Sequence, residues 1–382
     1  MNYRQGIWIS LLCCSLGACY ETSSVAERAV EPVVIGFAAP LTGPQAHYGK
    51  SYQQGVQLAI DDINASQPNL AGKAVKFVLA VEDDQADPRV ATQVAQKFVD
   101  AKVAGVIGHF NSGTSIPASK IYAEAGIAQI AMASSPLFTR QGYKTTFRAL
   151  ASDSQQGQVV GHYAVKRMGA QRVAVIDDRS AYGQGLADEF SKAVKAAGAL
   201  VVTHEFTQDK ATDFSAVLTK IKSVKPDLLF FAGGSDAQAA LIVRQMRQLG
   251  LTIPFVSGDT TRTDSFIRLA NTYAEGVIVS LPGMPLEKMP GGLDFAQRYR
   301  AKYGSMESYT PYGYDSTRLL ATAMLSANSA KPVDYLPVLA NLKYSGVTAS
   351  AISYDTHGDL QHTVVTLYRV VNGEWQTIEI IT

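Results

Sequence analysis

With 34 lysines and arginines against 33 aspartates and glutamates over 382 residues, the chain has a formal charge of +1, and 47% of it is hydrophobic. That balance is too neutral for a nucleic-acid binder and too apolar for a disordered chain. Past the first residues no stretch is long and apolar enough to span a membrane, and the remaining ~364 residues exceed what one hydrophobic core organises, so two domains are expected.

The chain opens with a leader. Arg4 supplies a positive n-region, and Ile7 to Leu16 is an apolar segment too short for a bilayer span. It ends in Leu16-Gly17-Ala18-Cys19, which resembles a bacterial lipobox, so residues 1–18 are expected to be removed and Cys19 lipidated. An ordinary secretory signal competes with this reading, but it needs no cysteine directly after Gly-Ala. All three cysteines (Cys13, Cys14 and Cys19) lie here, so the mature body holds no disulfide. Residues 19–32 are polar without apolar periodicity and read as a tether. Lipid attachment is then the only expected anchor.

From Val33 the chain alternates. Val33–Phe37 is a buried strand, Gly49–Asn64 an amphipathic helix, Val75–Val81 a strand and Pro88–Ala101 a helix. Val106-Ile107 ends at Gly108, followed by the hydroxyl-rich Asn111-Ser112-Gly113-Thr114-Ser115. Pro117 is expected in the first turn of the next helix, which closes at Gly126. Ile127–Met132 and the loop Ser134-Ser135-Pro136 repeat the pattern. After Leu150 it restarts: helix 157–168, strand 173–176, a helix reaching Ala197, strand 200–206, helix 214–224, strand 228–231, helix 237–249 and strand 255–257. Strand 277–280 and helices 291–303 and 312–328 follow. Strands 363–370 and 375–381 flank Asn372-Gly373, a hairpin signal. The alternation predicts two parallel α/β units facing each other across a cleft.

Two neighbouring strands ending in small hydroxylic loops suit a small carboxylate. N–H groups and hydroxyls converge there, and a helix N-terminus attracts anions. Such loops also serve merely to join elements. The six histidines show no metal-ligand spacing, and no metal or cofactor is expected. Gly183-Gln184-Gly185 follows a strand, but Asp188 stands where a dinucleotide fingerprint needs its third glycine. No nucleophile elbow and no P-loop are present, so catalysis is not expected.

The segments PLTGPQAHYG (40–49), EDDQADP (82–88), VIGHFNSGTSIPAS (106–119), DDRSAYGQGLA (177–187) and SYDTHGDL (353–360), in this order and spacing, carry a resemblance. Over residues 32–370 the chain resembles the leucine/isoleucine/valine-binding family of ABC-importer substrate-binding proteins. The resemblance implies a type I periplasmic binding fold, two doubly wound α/β lobes with a hinge and an interlobe cleft. Lobe 1 would take 33–152 and 283–349, and lobe 2 would take 153–282 and 350–382. It also implies a monomer that hands leucine, isoleucine or valine to ABC permease subunits from the periplasmic side of a membrane.

Residue by residue, the resemblance places Ser112 on the ligand carboxylate, Ala133 and Ser135 along the amino-acid backbone, Tyr182 near the ligand and Asp259 on its ammonium. Tyr48, Phe110 and Tyr312 would wall the aliphatic side chain. A zwitterion needs this mixture of donors, a carboxylate and apolar walls. Three departures stand out: Ala86 and Asn111 occupy positions where some members carry a disulfide, the 133–136 loop is one residue shorter, and Asp259 stands where several members have Glu. The shorter loop leaves open whether Ser134 or Ser135 faces ligand. Without the resemblance, Tyr182 reads as a surface tyrosine, Asp259 as the N-cap of a helix over 260–270, and Tyr48 or Phe110 as core. A sensory role on the same fold, or another small amide or carboxylate as cargo, also fits the sequence.

Overall fold

The computed structural model describes residues 30–208 and 210–382. The expected leader, Cys19 and the tether up to residue 29 lie outside the described residues. The end of the expected tether, Glu31 and Pro32, already belongs to the first strand.

The first sheet is built from β1 (Glu31–Ala39), α1 (Ala46–Ala65), β2 (Asn69–Leu70), β3 (Lys73–Asp83), α2 (Pro88–Asp100), β4 (Gly105–Gly108), α3 (Ser112–Glu124), β5 (Gln129–Ala131), α4 (Leu137–Arg140) and β6 (Thr146–Arg148). Its strand order is β2-β3-β1-β4-β5-β6, parallel except for β2. Strands β4 and β5 are buried along their whole length, the condition that lets short apolar runs persist without alternation.

The second sheet begins with α5 (Asp153–Lys166), β7 (Arg172–Asp177), α6 (Ala181–Ala196), β8 (Leu200–Phe206), α7 (Ser215–Ser223), β9 (Leu228–Ala232), α8 (Asp236–Gln248), β10 (Phe255–Ser257), α9 (Asp264–Ala270) and β11 (Ile278–Pro282). The chain then returns to the first sheet with α10 (Gly292–Tyr303), α11 (Thr310–Ser326) and α12 (Pro332–Asn341). The Tyr335 hydroxyl in α12 donates to the Ala104 carbonyl (2.6 Å). It crosses back a third time for β12 (Val365–Val371) and β13 (Glu374–Ile381), which extend the second sheet to the order β13-β12-β11-β10-β9-β7-β8. Asn372 and Gly373 sit at φ 53° and 75°, as the turn between β12 and β13 demands.

Three expectations need correction, and one helix was not expected. Helix α3 begins at Ser112, so Pro117 lies inside it and not in its first turn, and the Gly113 carbonyl loses its intrahelical donor. Asp259 caps no α-helix. It opens a single 3₁₀ turn over 259–261, and α9 starts at Asp264 under the Thr263 hydroxyl, which accepts from the Phe266 amide (2.9 Å). Residues 353–361, expected in the second lobe, pack on the first: the Arg148 amide donates to the Gly358 carbonyl (2.8 Å), and the Phe147 and Tyr354 rings lie 4.9 Å apart. Helix α12, which no expectation covered, carries few buried residues for its length.

Candidate ligand-binding site

Both sheets reverse strand order at a switch point, β1/β4 in the first and β7/β9 in the second. The loops at their carboxyl ends face each other, where ligands settle in open α/β sheets. Between them lies a pocket, partly open to solvent, lined by Phe110, Asn111, Ser112, Met132, Ser134, Tyr182, Gly234, Asp259, Thr260 and Tyr309. Four of the expected residues (Phe110, Ser112, Tyr182 and Asp259) therefore share one wall system.

Asp259 is the anionic end. Its Oδ1 accepts from the Tyr182 hydroxyl (2.6 Å) and the Gln156 amide (3.0 Å), and its Oδ2 accepts from the Tyr309 hydroxyl. Burial, and after it the charge of Asp259, pushes the Tyr182 and Tyr309 hydroxyls well above the usual phenol value, so both remain donors. Gly258 makes this possible. A Cβ there would stand 2.3 Å from the Tyr182 hydroxyl, so a side chain at 258 would expel the tyrosine from the carboxylate.

Ser112 is the opposite, donor-rich end. It is the first residue of α3, so its hydroxyl and the unpaired N–H groups of that helix start open onto the pocket. The Ser112 Oγ accepts from the Ser135 amide (3.2 Å). Behind it, buried Arg148 clamps the 133–135 loop. Its guanidinium donates to the carbonyls of Ala133 and Ser135 and to the Thr139 hydroxyl, and its Nε to Asp359 Oδ1 (2.8 Å). Burial would raise the Asp359 carboxyl, but Arg148, Thr139 and Arg140 outweigh it and hold it below the usual carboxylate range. On the other side, His109 Nδ1 contacts Asp84 Oδ2 (2.7 Å) and its Nε2 the Tyr122 hydroxyl (3.1 Å), which fixes the backbone entering Phe110.

The aromatic wall is a cluster. Phe110 stacks on Tyr48 (5.8 Å between centroids, 11° between planes) and meets Tyr309 edge-on at 5.1 Å. Tyr48 backs this wall and does not line the pocket. Its hydroxyl reaches across the cleft to the Thr260 carbonyl. Ala133 and Ser135 also stand one layer back, and Ser134 is the serine at the surface of the pocket. Tyr312 is placed elsewhere. It lines a separate cavity beside the crossovers with Leu150, Gly283 and Tyr354, and donates to the Pro282 carbonyl (3.2 Å). The aromatic at the cleft is Tyr309, the residue before α11. Only the helix start reaches the pocket, and the next turn already faces the hinge.

The two halves touch around the pocket. Gln45 Nε2 donates to the Gly234 carbonyl (3.0 Å), Arg262 Nη1 to Ser308 Oγ (3.1 Å) and the Asp153 amide to the Ser134 carbonyl (2.8 Å). Among the described residues no cluster of side chains could hold a metal ion, and no helix is long and apolar enough to cross a membrane. Of the two serines left open by the sequence it is Ser134 that lines the pocket, and Asp153, Gln156, Arg148 and Tyr309 were not foreseen from sequence. Of these, the Ser152–Gln155 capping box that opens α5 was the one legible local sign.

A family model described as "Periplasmic binding protein" matches residues 32–374. The Leu/Ile/Val-binding protein homolog 1 of Brucella suis biovar 1 is 34% identical over 342 residues, 89% of this chain and 91% of that protein. The amino acid binding protein of Pseudomonas aeruginosa is 36% identical over 348 residues, 90% of this chain and 91% of that one. Among solved structures, the branched-chain amino acid transporter substrate binding protein LivJ of Streptococcus pneumoniae, in complex with isoleucine, superposes with a TM-score of 0.81 at 27% identity, covering 92% of this chain and 99% of that one. The chain belongs to the periplasmic binding protein family, alongside its Leu/Ile/Val-binding members, and has the type I fold of these extracytoplasmic substrate-binding proteins, which are not enzymes.

Proposed function

We propose that the protein captures an aliphatic amino acid (leucine, isoleucine or valine) in the interlobe pocket and presents it to the permease of an ABC importer as a monomer held to the membrane through lipidated Cys19. The observation that carries the reading is the opposition of a buried carboxylate, Asp259, to the Ser112 start of α3, with Phe110, Met132 and Tyr309 between them. Those are the ends of a zwitterion and the wall for its side chain. Leaving either charge unpaired in a shut cleft costs several kcal/mol (order of magnitude), so the polar ends select α-amino acids and the wall selects among them. The lobes, 33–152 with 283–349 and 153–282 with 350–382 apart from the 353–361 segment, close about the three crossovers.

The test is a thermal-shift screen of the refolded protein against the twenty amino acids. A ligand at ~100 times its dissociation constant adds about 2.7 kcal/mol to the native state. Shifts are expected with leucine, isoleucine and valine, and a silent panel would refute the cargo. Ser112→Ala and Asp259→Ala are each expected to weaken binding at least tenfold (about 1.4 kcal/mol). Unchanged affinity in both would remove the site assignment.

A further inference from the structure

Asp153 is fully buried at the first position of α5, and neither of its carboxyl oxygens has a hydrogen-bond partner among the described residues. Buried carboxyls rarely stand so. Its surroundings are those of the pocket. It lies behind the wall formed by Ser134, Tyr182 and Asp259, close enough to feel the charge of Asp259, with the Ser134 hydroxyl beside it. The open backbone face of Gly185 marks the convergence: a Cβ there would be 3.5 Å from Asp153 Oδ2 and 3.6 Å from Ser135 Oγ.

The acceptor count in the pocket gives this carboxyl a use. An ammonium brings three N–H donors. Asp259 already accepts from Tyr182, Gln156 and Tyr309, which leaves it about one of its roughly four lone-pair positions. The Ala133 carbonyl is engaged by Arg148. Asp153 is the neighbouring carboxyl, and neither of its oxygens has a hydrogen-bond partner among the described residues.

We propose that Asp153 and Asp259 form a two-carboxyl cation site, in which arrival of the ligand ammonium drives a proton off Asp153 into solvent, with Ser134 bridging the new carboxylate to the ligand. The proposal rests on the amino-acid reading above. The balance is one carboxylic acid plus one alkylammonium giving a carboxylate–ammonium pair and one released proton. The groups facing Asp153 agree with this. Burial pushes its carboxyl to about 8, the charges of Asp259 and Glu189 add to the rise, and the Ser134 hydroxyl and Arg148 oppose it; Tyr182 faces it as a neutral phenol. The α5 macrodipole favours a charge at this position, so ionisation needs only a nearby cation to complete it.

The experiment is calorimetric titration of the refolded protein with leucine at pH 7, in phosphate and in Tris, buffers whose ionisation enthalpies differ widely. The expected result is a difference in heat corresponding to more than half a proton released per leucine, and an affinity that rises at least tenfold from pH 6 to pH 8. Asp153→Asn should bind leucine with equal heats in both buffers and a flat pH profile. Saturable binding with buffer-independent heat in the unmodified protein would overturn this inference and leave the amino-acid reading intact. Proton release undiminished in Asp153→Asn would overturn it as well, by placing the proton on another group. No saturable heat with any amino acid would overturn both. The two-buffer comparison on the unmodified protein decides even if the variant does not fold.

Discussion

Three side chains meet on Asp259 from distant parts of the chain: Gln156 from α5, Tyr182 from α6 and Tyr309 from the start of α11. Asp259, Tyr182, Ser112 and Phe110 were expected at the ligand through the family resemblance alone, since by themselves Tyr182, Asp259 and Phe110 read as a surface tyrosine, a helix cap and core. Tyr309 was not expected there. It differs from Tyr312 by less than one helical turn, and only the start of the helix decides which ring meets the cleft. Tyr309→Phe is therefore expected to weaken leucine binding severalfold, by removing one donor from Asp259, while Tyr312→Phe leaves it within twofold; titration calorimetry compares them. Asp153 was illegible for a related reason, since its burial depends on the Ser134 loop and Asp259, remote in sequence. Its carboxyl is raised from about 3.8 to about 8 in the folded state. The ligand-free protein should thus be most stable below pH ~4 on this account and lose stability as pH rises from there through 8, by at most ~6 kcal/mol. Urea unfolding at pH 5 and 8.5 checks the slope, and Asp153→Asn should flatten it.

Among the elements, the long alternating strands and amphipathic helices were legible, and the short or unusual ones were not. Strand β6 has three residues, and its role is to present Arg148. That arginine joins three pieces: the 133–135 loop at the pocket, α4 through Thr139, and the third crossover through Asp359. Sequence reading passes over it because a lone arginine in a strand is usually solvated. Arg148→Met is expected to cost about 3–5 kcal/mol, since Asp359 and two carbonyls lose their partner in the interior. The same change should loosen the Ser134–Ser135 grip. A denaturant midpoint and a leucine titration on the same sample should both move; a stable variant with native affinity would show that the clamp is dispensable.

For the whole molecule, the division into two α/β halves followed from length and alternation, whereas the place of the third crossover did not. Residues 353–361, which the resemblance assigned to the second lobe, are turn-rich (Asp355, Gly358, Asp359) and dock onto β6. The contacts from Gln45, Tyr48 and Arg262 to the opposite half bridge the two halves beside the pocket in this arrangement. If leucine stabilises it, small-angle scattering should show a smaller radius of gyration on adding ligand, and Gln45→Ala with Tyr48→Phe should reduce the contraction. Strands β12 and β13 carry a consequence for how the protein comes into being. They complete the second sheet from residues 365–381, while that sheet's other strands end at Pro282. A chain emerging N-terminus first can assemble β1 to β6 early, yet the exposed edge of β11 must wait for the last segment to arrive. Until then that edge offers unpaired backbone groups to any other strand. The hairpin of β12 and β13 is thus the step that covers the β11 edge.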